Sequence, residues 1–448
     1  MKPAVLCAAL LAAFPALAQE LPGWHLLWND EFDGAAVDET KWRIEHAALV
    51  KNDEKQYYAP DDVYLEDGCL VLRSQRRAMG GREFTSGLVD SRGKFAMLYG
   101  RIEIRAKLPK GQGLWPAHWM LPDDGSWPPE IDIMELVGSQ PDNVVMSLHS
   151  GQWPDLESQT MDHLGPDFSA GFHTFALEWE PDELRWYVDG NQQFSTGADV
   201  PQKAMYIILN TAVGGHMPGD PDDTTVFPQM HRIDYVRVYG REVPGTFFLV
   251  TAAERGRIAV SPKEPRHRAG APVTLRAVSS IGYRFDRWSG DLEGAENPAR
   301  VTMDAHRRIR AHFAPDPEAP ALLSRGKPVT ATSVEDDRFP ARFATDGDPG
   351  TRWSSAFADP QSVTVDLGER HAIRAIRLEW ENAYAKSYLI DVSDDGRTWR
   401  NIHSKKGGHG RTEEIIGLTA SGRYVRVTGT ARGTEWGYSL WELEVFGK

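Results

Sequence analysis

Apolar and polar residues alternate over short stretches through most of the chain, the period of strands that bury one face. The alternation is clean in Phe172-His173-Thr174-Phe175-Ala176-Leu177-Glu178-Trp179. It recurs in Leu184-Arg185-Trp186-Tyr187-Val188, after which Asp189-Gly190 reads as a hairpin turn. Residues 70–73, 85–89, 101–107 and 233–239 carry shorter runs of the same kind, and 206–213 reads as a further buried strand. Turn residues such as Gly80-Gly81 and Lys110-Gly111 separate them. Few stretches place apolar residues at helical spacing. The pattern predicts an all-β chain whose first part is two packed antiparallel sheets, a jelly-roll β-sandwich.

The pattern changes twice along the chain. After Gly240 come short strand-like runs over 247–313, with no carboxylate cluster and no metal-ligand spacing; a spacer or weak wall-binding element is the plainest reading. A Pro-, Asp- and Glu-rich stretch at 315–320 reads as an exposed, semi-rigid linker, and a last module fills the remainder. A length of 448 residues suits two or three domains. At the other end, Lys2, an apolar run over 4–13 and Ala16-Leu17-Ala18 read as a secretory leader, its apolar run too short to span a bilayer. The expected divisions are a leader at 1–18, a first domain at 19–243, a β-rich module at 244–314, a linker at 315–322 and a final domain at 323–448. Export to the periplasm or the extracellular space follows. Cys7 leaves with the leader, so Cys69 is alone, no intramolecular disulfide can form, and Gly68-Cys69-Leu70-Val71-Leu72 reads as a buried strand thiol.

Candidate chemistry concentrates in Glu130-Ile131-Asp132-Ile133-Met134-Glu135, which follows the turn-rich Asp123-Asp124-Gly125-Ser126-Trp127-Pro128-Pro129. In a strand Glu130 and Asp132 share a face, while Glu135 has the wrong parity. One extra residue absorbed in a β-bulge at Met134 would turn all three acids to one cleft. Like charges repel, so this arrangement does nothing for folding unless one acid stays protonated while another is ionised. Two carboxyls about 5–5.5 Å apart across a sugar bond are the parts of a retaining glycosidase. The plainer alternative is a solvated acidic edge strand, and Ile131 and Ile133 on the opposite face speak against it.

The surrounding aromatics fit a sugar cleft. Trp115 and Trp119 are four residues apart and share a strand face, and Trp127 directly precedes the acidic strand. An indole plane covers the apolar C–H face of a pyranose while neighbouring polar groups take its hydroxyls. Core tryptophans are the alternative. Composition narrows the partners further. Sixty-four acidic against fifty basic residues leave a net charge of −14, which argues against nucleic acid or an anionic membrane surface and is compatible with a neutral polysaccharide. Fifteen tryptophans and forty-one glycines agree with a β-rich, carbohydrate-handling architecture.

Gly111-Gln112-Gly113-Leu114-Trp115-Pro116-Ala117-His118-Trp119-Met120-Leu121-Pro122 followed by the acidic strand resembles glycoside hydrolase family 16, in particular its bacterial laminarinases (endo-β-1,3-glucanases). His25-Leu26-Leu27-Trp28-Asn29-Asp30-Glu31-Phe32-Asp33-Gly34 resembles the opening of that family's catalytic domain, and the loop over 214–228 resembles its laminarinase form. The resemblance implies Glu130 as nucleophile, Glu135 as general acid/base and Asp132 as the assisting acid between them. It also implies sugar contacts at Asn52, Trp115, Trp119, Trp127, His149 and Asn210. For His149, a satisfied structural histidine is the alternative. No cofactor is implied for catalysis. A structural calcium is implied at Glu31 and Asp234.

The 247–313 segment resembles a small β-rich repeat found in bacterial surface and secreted proteins. From residue 323, Ala344-Thr345-Asp346-Gly347-Asp348-Pro349-Gly350-Thr351-Arg352-Trp353, Val392-Ser393-Asp394-Asp395-Gly396-Arg397-Thr398-Trp399 and Tyr438-Ser439-Leu440-Trp441-Glu442 resemble the discoidin (F5/8 type C) sandwich and its carbohydrate-binding relatives. That likeness implies a second structural calcium at Asp346, Asp348, Thr351 and Glu442, and sugar-stacking candidates at Trp380, Tyr384 and Trp436. Together these readings imply a secreted, monomeric hydrolase of β-glucan without nucleic-acid or membrane partners. A mixed-linkage glucanase or another family 16 polysaccharide hydrolase is the near alternative. The bulged motif disfavours the former, and the 214–228 loop disfavours agarases and carrageenases. A non-catalytic glucan-binding protein is the alternative from a different class, and the intact acids argue against it. Leu88, where some laminarinases carry Arg, leaves subsite detail open.

Overall fold

The computed structural model describes residues 21–448 apart from Val50, Trp153, Pro154, Pro349, Asn382, His409 and Arg411. The expected leader, with Cys7, lies outside the described residues. Nearly every regular element is a strand; the helices among the described residues are the short 3-10 turns Pro60–Asp62 and Ala341–Thr345. One compact unit runs to Val250 and takes in Pro262–Val273 and Thr302–Arg308, and the other holds Thr251–Ser261, Thr274–Val301 and Ile309–Lys448.

Two antiparallel sheets build the sandwich of the first unit. One, with seven strands among the described residues, runs in the order Asp155–Leu164, Asn143–Gln152, Glu130–Leu136, Leu114–Pro122, Met205–Val213, Leu88–Asp90, Arg43–Ile44. The acidic strand therefore lies inside the sheet, paired on both edges. The facing sheet centres on Gly100–Lys107, His173–Trp179 and Gln229–Arg241. Ile131, Ile133, Met134 and Leu136 pack between the sheets with Ile102, Ile104, Phe175, Leu177, Trp186 and Val236. Burial of these side chains supplies the main drive for closing the sandwich. The hairpin expected after Val188 is present: Asp189 and Gly190 both take positive φ, 48° and 79°, as a two-residue turn matched to strand twist requires. Cys69 is a buried free thiol at the start of Cys69–Ser74.

In the repeat segment, one three-stranded sheet orders Gly256–Ser261, Pro272–Ser279 and Ala299–Thr302, and another orders Leu249–Ala253, Arg307–Pro315 and Tyr283–Gly290. The last module is built on Gln361–Trp380, Thr412–Arg432, Ala385–Ser393 and Ser439–Gly447 around a core holding Trp353, Tyr388, Tyr438 and Leu440. Its first strand, Ala321–Leu322, pairs with Ser439–Gly447, so the linker is shorter than 315–322.

Trp380 corrects the sequence reading. It continues the strand alternation of buried Ile376 and Leu378, so its indole enters the core at 5% exposure, tilted against the Tyr388 ring. Tyr384 is half-buried beneath Gly410 and Gly433, whereas Trp436 is exposed, as is Phe357, which the sequence reading did not single out.

Candidate active site

Strand pairing places the acids. Glu130 lies opposite His149 and Asp132 opposite Ser147, but the next pair on that edge is Glu135 with Val145. On the other edge Asp132 faces Trp119, and Met134 already faces His118. An extra residue is thus absorbed between Asp132 and Glu135, at Ile133-Met134. Both of these side chains go into the core, and Glu130, Asp132 and Glu135 all line one cleft of about 600 Å³. A bulge interrupts the ladder, and here Trp186 reaches across from the opposite sheet to donate its indole N–H to the Asp132 carbonyl at 2.9 Å. The acidic strand is pinned where its regular pairing fails.

Each acid has its own partner. Trp127 Nε1 donates to Glu130 Oε2 at 2.7 Å, and Trp115 Nε1 donates to Glu135 Oε1 at 2.9 Å. Asp132 is buried, and its Oδ2 lies 3.0 Å from His149 Nε2 without an aligned hydrogen bond. His149 Nδ1 is 2.7 Å from Ser158 Oγ, which orients the ring. Burial, the neighbouring Glu130 charge and a hydrogen bond with Glu130 hold the Asp132 carboxyl well above the usual carboxylate range, with Lys51 opposing. Burial and then Asp132 push Glu135 up to about 8, although the Trp115 bond acts the other way. Glu135 therefore keeps its proton at neutral pH despite some contact with cleft solvent.

The six residues expected to touch sugar all line this cleft: Asn52, Trp115, Trp119, Trp127, His149 and Asn210. A polar chain supports them. Trp119 Nε1 donates to Asn210 Oδ1 at 2.8 Å, Asn210 Nδ2 donates to Tyr58 Oη at 3.0 Å, and Gln56 Nε2 donates to Glu54 Oε2 at 2.6 Å. Asn52 takes a left-handed φ of 52°, which its short polar side chain tolerates, and its carbonyl accepts from His216 N–H at 3.0 Å. Gly215 permits that approach: a Cβ there would lie 2.9 Å from the Asn52 carbonyl oxygen.

Sequence reasoning missed Lys51, Glu54, Ser147, Thr160 and His216 on the cleft wall. The parity of Ser147 with His149 was a usable signal. Lys51, whose Nζ lies 4.3 Å over the Trp119 ring, gave none. Also missed was a buried pair beneath the cleft, His118 and His231, with Nε2 atoms 3.0 Å apart. Burial pushes both imidazoles down, His231 to about 3, so both are neutral.

Two implied cation sites differ in fit. Glu31 accepts two hydrogen bonds from Arg237, at 2.9 and 2.7 Å, and another from Asn29, while Asp234 pairs with Arg105. Guanidinium groups hold both carboxylates separately, so this pair does not fit a shared calcium. In the last module the candidates belong to one turn and the strand bonded to it. Glu442 Oε1 accepts from Gly347 N–H at 2.6 Å, and Thr351 Oγ1 donates to Asp346 Oδ2 at 2.8 Å. Asp348 Oδ1 accepts from Gly350 N–H at 2.9 Å, closing the same turn. Burial and then the nearby Asp346, Glu444 and Glu379 push Glu442 up to about 7, despite the Gly347 bond. An oxygen-rich turn with an under-compensated carboxyl fits a hard cation.

A protonated carboxyl and a second carboxyl on one bulged strand, floored by tryptophans in an open cleft, define a glycoside hydrolase of the two-carboxylate kind. Comparison with known proteins carries this further. Residues 50–237 match the model for glycosyl hydrolases family 16, residues 248–317 a divergent InlB B-repeat domain and residues 328–443 an F5/8 type C domain. A beta-glucanase of Rhodothermus marinus is 36% identical over 249 residues, which is 50% of this chain and 87% of that protein. The chain belongs to glycosyl hydrolases family 16. It spans only 38% of another relative, the glucan endo-1,3-beta-glucosidase A1 of Niallia circulans, at 36% identity over 50% of its own length. The laminarinase catalytic domain of Thermotoga maritima, solved with cetyltrimethylammonium bromide, matches at 38% identity over 49% of this chain and 99% of its own, with a TM-score of 0.46.

Proposed function

We propose that the chain is a secreted, retaining endo-β-1,3-glucanase acting on laminarin-type β-glucans. The observation that carries this reading is the bulged strand, which turns Glu130, Asp132 and Glu135 to one tryptophan-lined cleft while holding Glu135 protonated. Glu130 attacks the anomeric carbon as Glu135 gives its proton to the leaving glycosidic oxygen. The bond between sugar and leaving group breaks as the bond to Glu130 forms. Glu135, now ionised, takes a proton from water, which displaces Glu130, and the anomeric configuration is retained. Asp132 hydrogen-bonds Glu130 and holds a proton beside it, steadying the carboxylate until it bonds to sugar. Trp115, Trp119 and Trp127 offer ring faces to pyranose C–H surfaces, and Asn52, His149 and Asn210 take hydroxyls. The chemistry calls on no cofactor.

The names of the relatives, a beta-glucanase and a glucan endo-1,3-beta-glucosidase, support β-glucan over galactan as substrate. The F5/8 type C module is read as a carbohydrate-binding appendage that holds calcium through Asp346, Asp348, Thr351 and Glu442. Calcium should raise the melting temperature of that module in the parent and leave Glu442→Gln unmoved. For the catalytic reading, incubation with laminarin, lichenan, agarose and κ-carrageenan should release laminari-oligosaccharides from laminarin and act more slowly on lichenan. Glu130→Gln should abolish release. Binding of laminarin with no products from any polymer would favour the glucan-binding alternative instead.

A further inference from the structure

The repeat segment departs in charge from the rest of the chain. Residues 244–314 hold 12 Lys and Arg against 7 Asp and Glu, in a protein of net charge −14. Three of these bases fall on one surface. In the sheet ordered Gly256–Ser261, Pro272–Ser279, Ala299–Thr302, Ala259 pairs with Arg276 and Arg257 with Val278. Paired residues share a face and so do residues two apart, so Arg257 and Arg276 stand diagonally on the same side. Val273, Leu275, Ala277, Ala299 and Val301 are buried on the other side, which puts Arg300 outward as well. Arg257, Arg276 and Arg300 are all exposed, one on each strand.

Among the described residues, none of the three forms an ion pair or a side-chain hydrogen bond. By contrast Arg310 pairs with Glu254, Arg287 with Asp286 and Arg307 with Asp304 in the neighbouring sheet. Acids outnumber bases in this chain, so an uncompensated row of arginines is not a shortage of partners. Like charges side by side repel, and the fold gains nothing from them. Guanidinium groups present flat forks of N–H donors that take carboxylates in pairs.

We infer that this face docks an acidic polysaccharide, a chain bearing carboxylates along its length such as a polyuronate. One guanidinium group on each of three adjacent strands, all on one face, suits an extended polyanion. Thr274, Val278, Ala259 and Ser261 fill the space around the arginines, so the face offers no aromatic platform for stacking nucleobases and no large apolar wedge for a lipid surface. The surface lies outside the catalytic cleft and would hold the enzyme in an anionic matrix while the cleft works on a neutral glucan.

The test is affinity electrophoresis of the full chain in gels containing polygalacturonate, with parallel runs against duplex DNA and phosphatidylglycerol vesicles. Polygalacturonate should retard the parent at low salt, and about 0.5 M NaCl should abolish retardation, since charge contacts at an exposed face are screened. The triple variant Arg257→Gln/Arg276→Gln/Arg300→Gln should lose about tenfold or more in affinity, while the corresponding Arg→Lys triple keeps part of it. Unchanged laminarin hydrolysis in both triples would show that the chain is still folded. Equal retardation of parent and Gln triple would overturn the inference. So would retention by DNA or vesicles without retention by polygalacturonate.

Discussion

Holding Glu135 protonated in the folded state costs stability in a defined pH window. Its carboxyl titrates at about 8 when folded, against a reference value of 4.5. A raised folded value means that the native chain binds this proton more tightly. The associated stability is full below pH 4.5 and is lost as pH rises through 8. At pH 7 the unfolded side chain is ionised, about 2.5 pH units above its midpoint, while the folded one is neutral; at about 1.4 kcal/mol per unit this amounts to roughly 3 kcal/mol. Because cleft solvent reaches the carboxyl, about 2 kcal/mol is the working figure. Glu135→Gln keeps the shape and can still accept the Trp115 bond but cannot ionise. It should therefore be more stable than the parent by about 2 kcal/mol at pH 7 and level with it near pH 4.5. Other titrating groups are common to both proteins and largely cancel in the difference. Calorimetry of the catalytic unit at several pH values would read this as a gap of roughly 4–8 °C at pH 7, closing towards acid. A gap that does not change with pH, or a variant less stable than the parent at pH 7, would refute the assignment of Glu135 as the buried acid.

Further outcomes follow from the same geometry. Trp115→Phe removes the donor that favours ionised Glu135, so the alkaline limb of kcat/KM should move up by about one pH unit; an unmoved limb would show that this bond does not set the acid. Trp186→Phe leaves the Asp132 carbonyl without its indole donor, which should cost about 1–3 kcal/mol in unfolding experiments and lower kcat more than it changes KM. His118 and His231 are neutral when folded, so their contribution is full above pH 6.5 and lost as pH falls. By pH 4.5 His231 alone should account for about 3 kcal/mol, and His118→Gln/His231→Gln should flatten that acid loss in urea titrations.

The catalytic strand was legible in the sequence because its constraint is local. Strand parity alone puts Glu135 on the wrong face, and the only repair is one extra residue before it, which the pairing locates at Ile133-Met134. The strand expected over 172–179 and the Asp189-Gly190 hairpin are local in the same sense. Trp380 was misread although it follows Ile376 and Leu378 at strand spacing, on the face that the core covers. The His118–His231 contact joins residues 113 apart in the chain, and Trp186 meets Asp132 across two sheets. Such contacts depend on how the sheets stack, which alternation within one strand cannot specify. Glu31 and Asp234 are engaged by Arg237 and Arg105 of the strands paired directly beside them, a cross-strand register that alternation within one strand does not give.

In the proposed mechanism Glu130 attacks sugar directly while Glu135 serves as acid and then base. Proton NMR of the first minutes of laminarin hydrolysis reads which anomer of the new reducing end forms before mutarotation. Double displacement gives the β-anomer first, with its signal absent in Glu130→Gln. Early release of the α-anomer would mean that water attacks in a single step, and the assignment of Glu130 as nucleophile would be wrong.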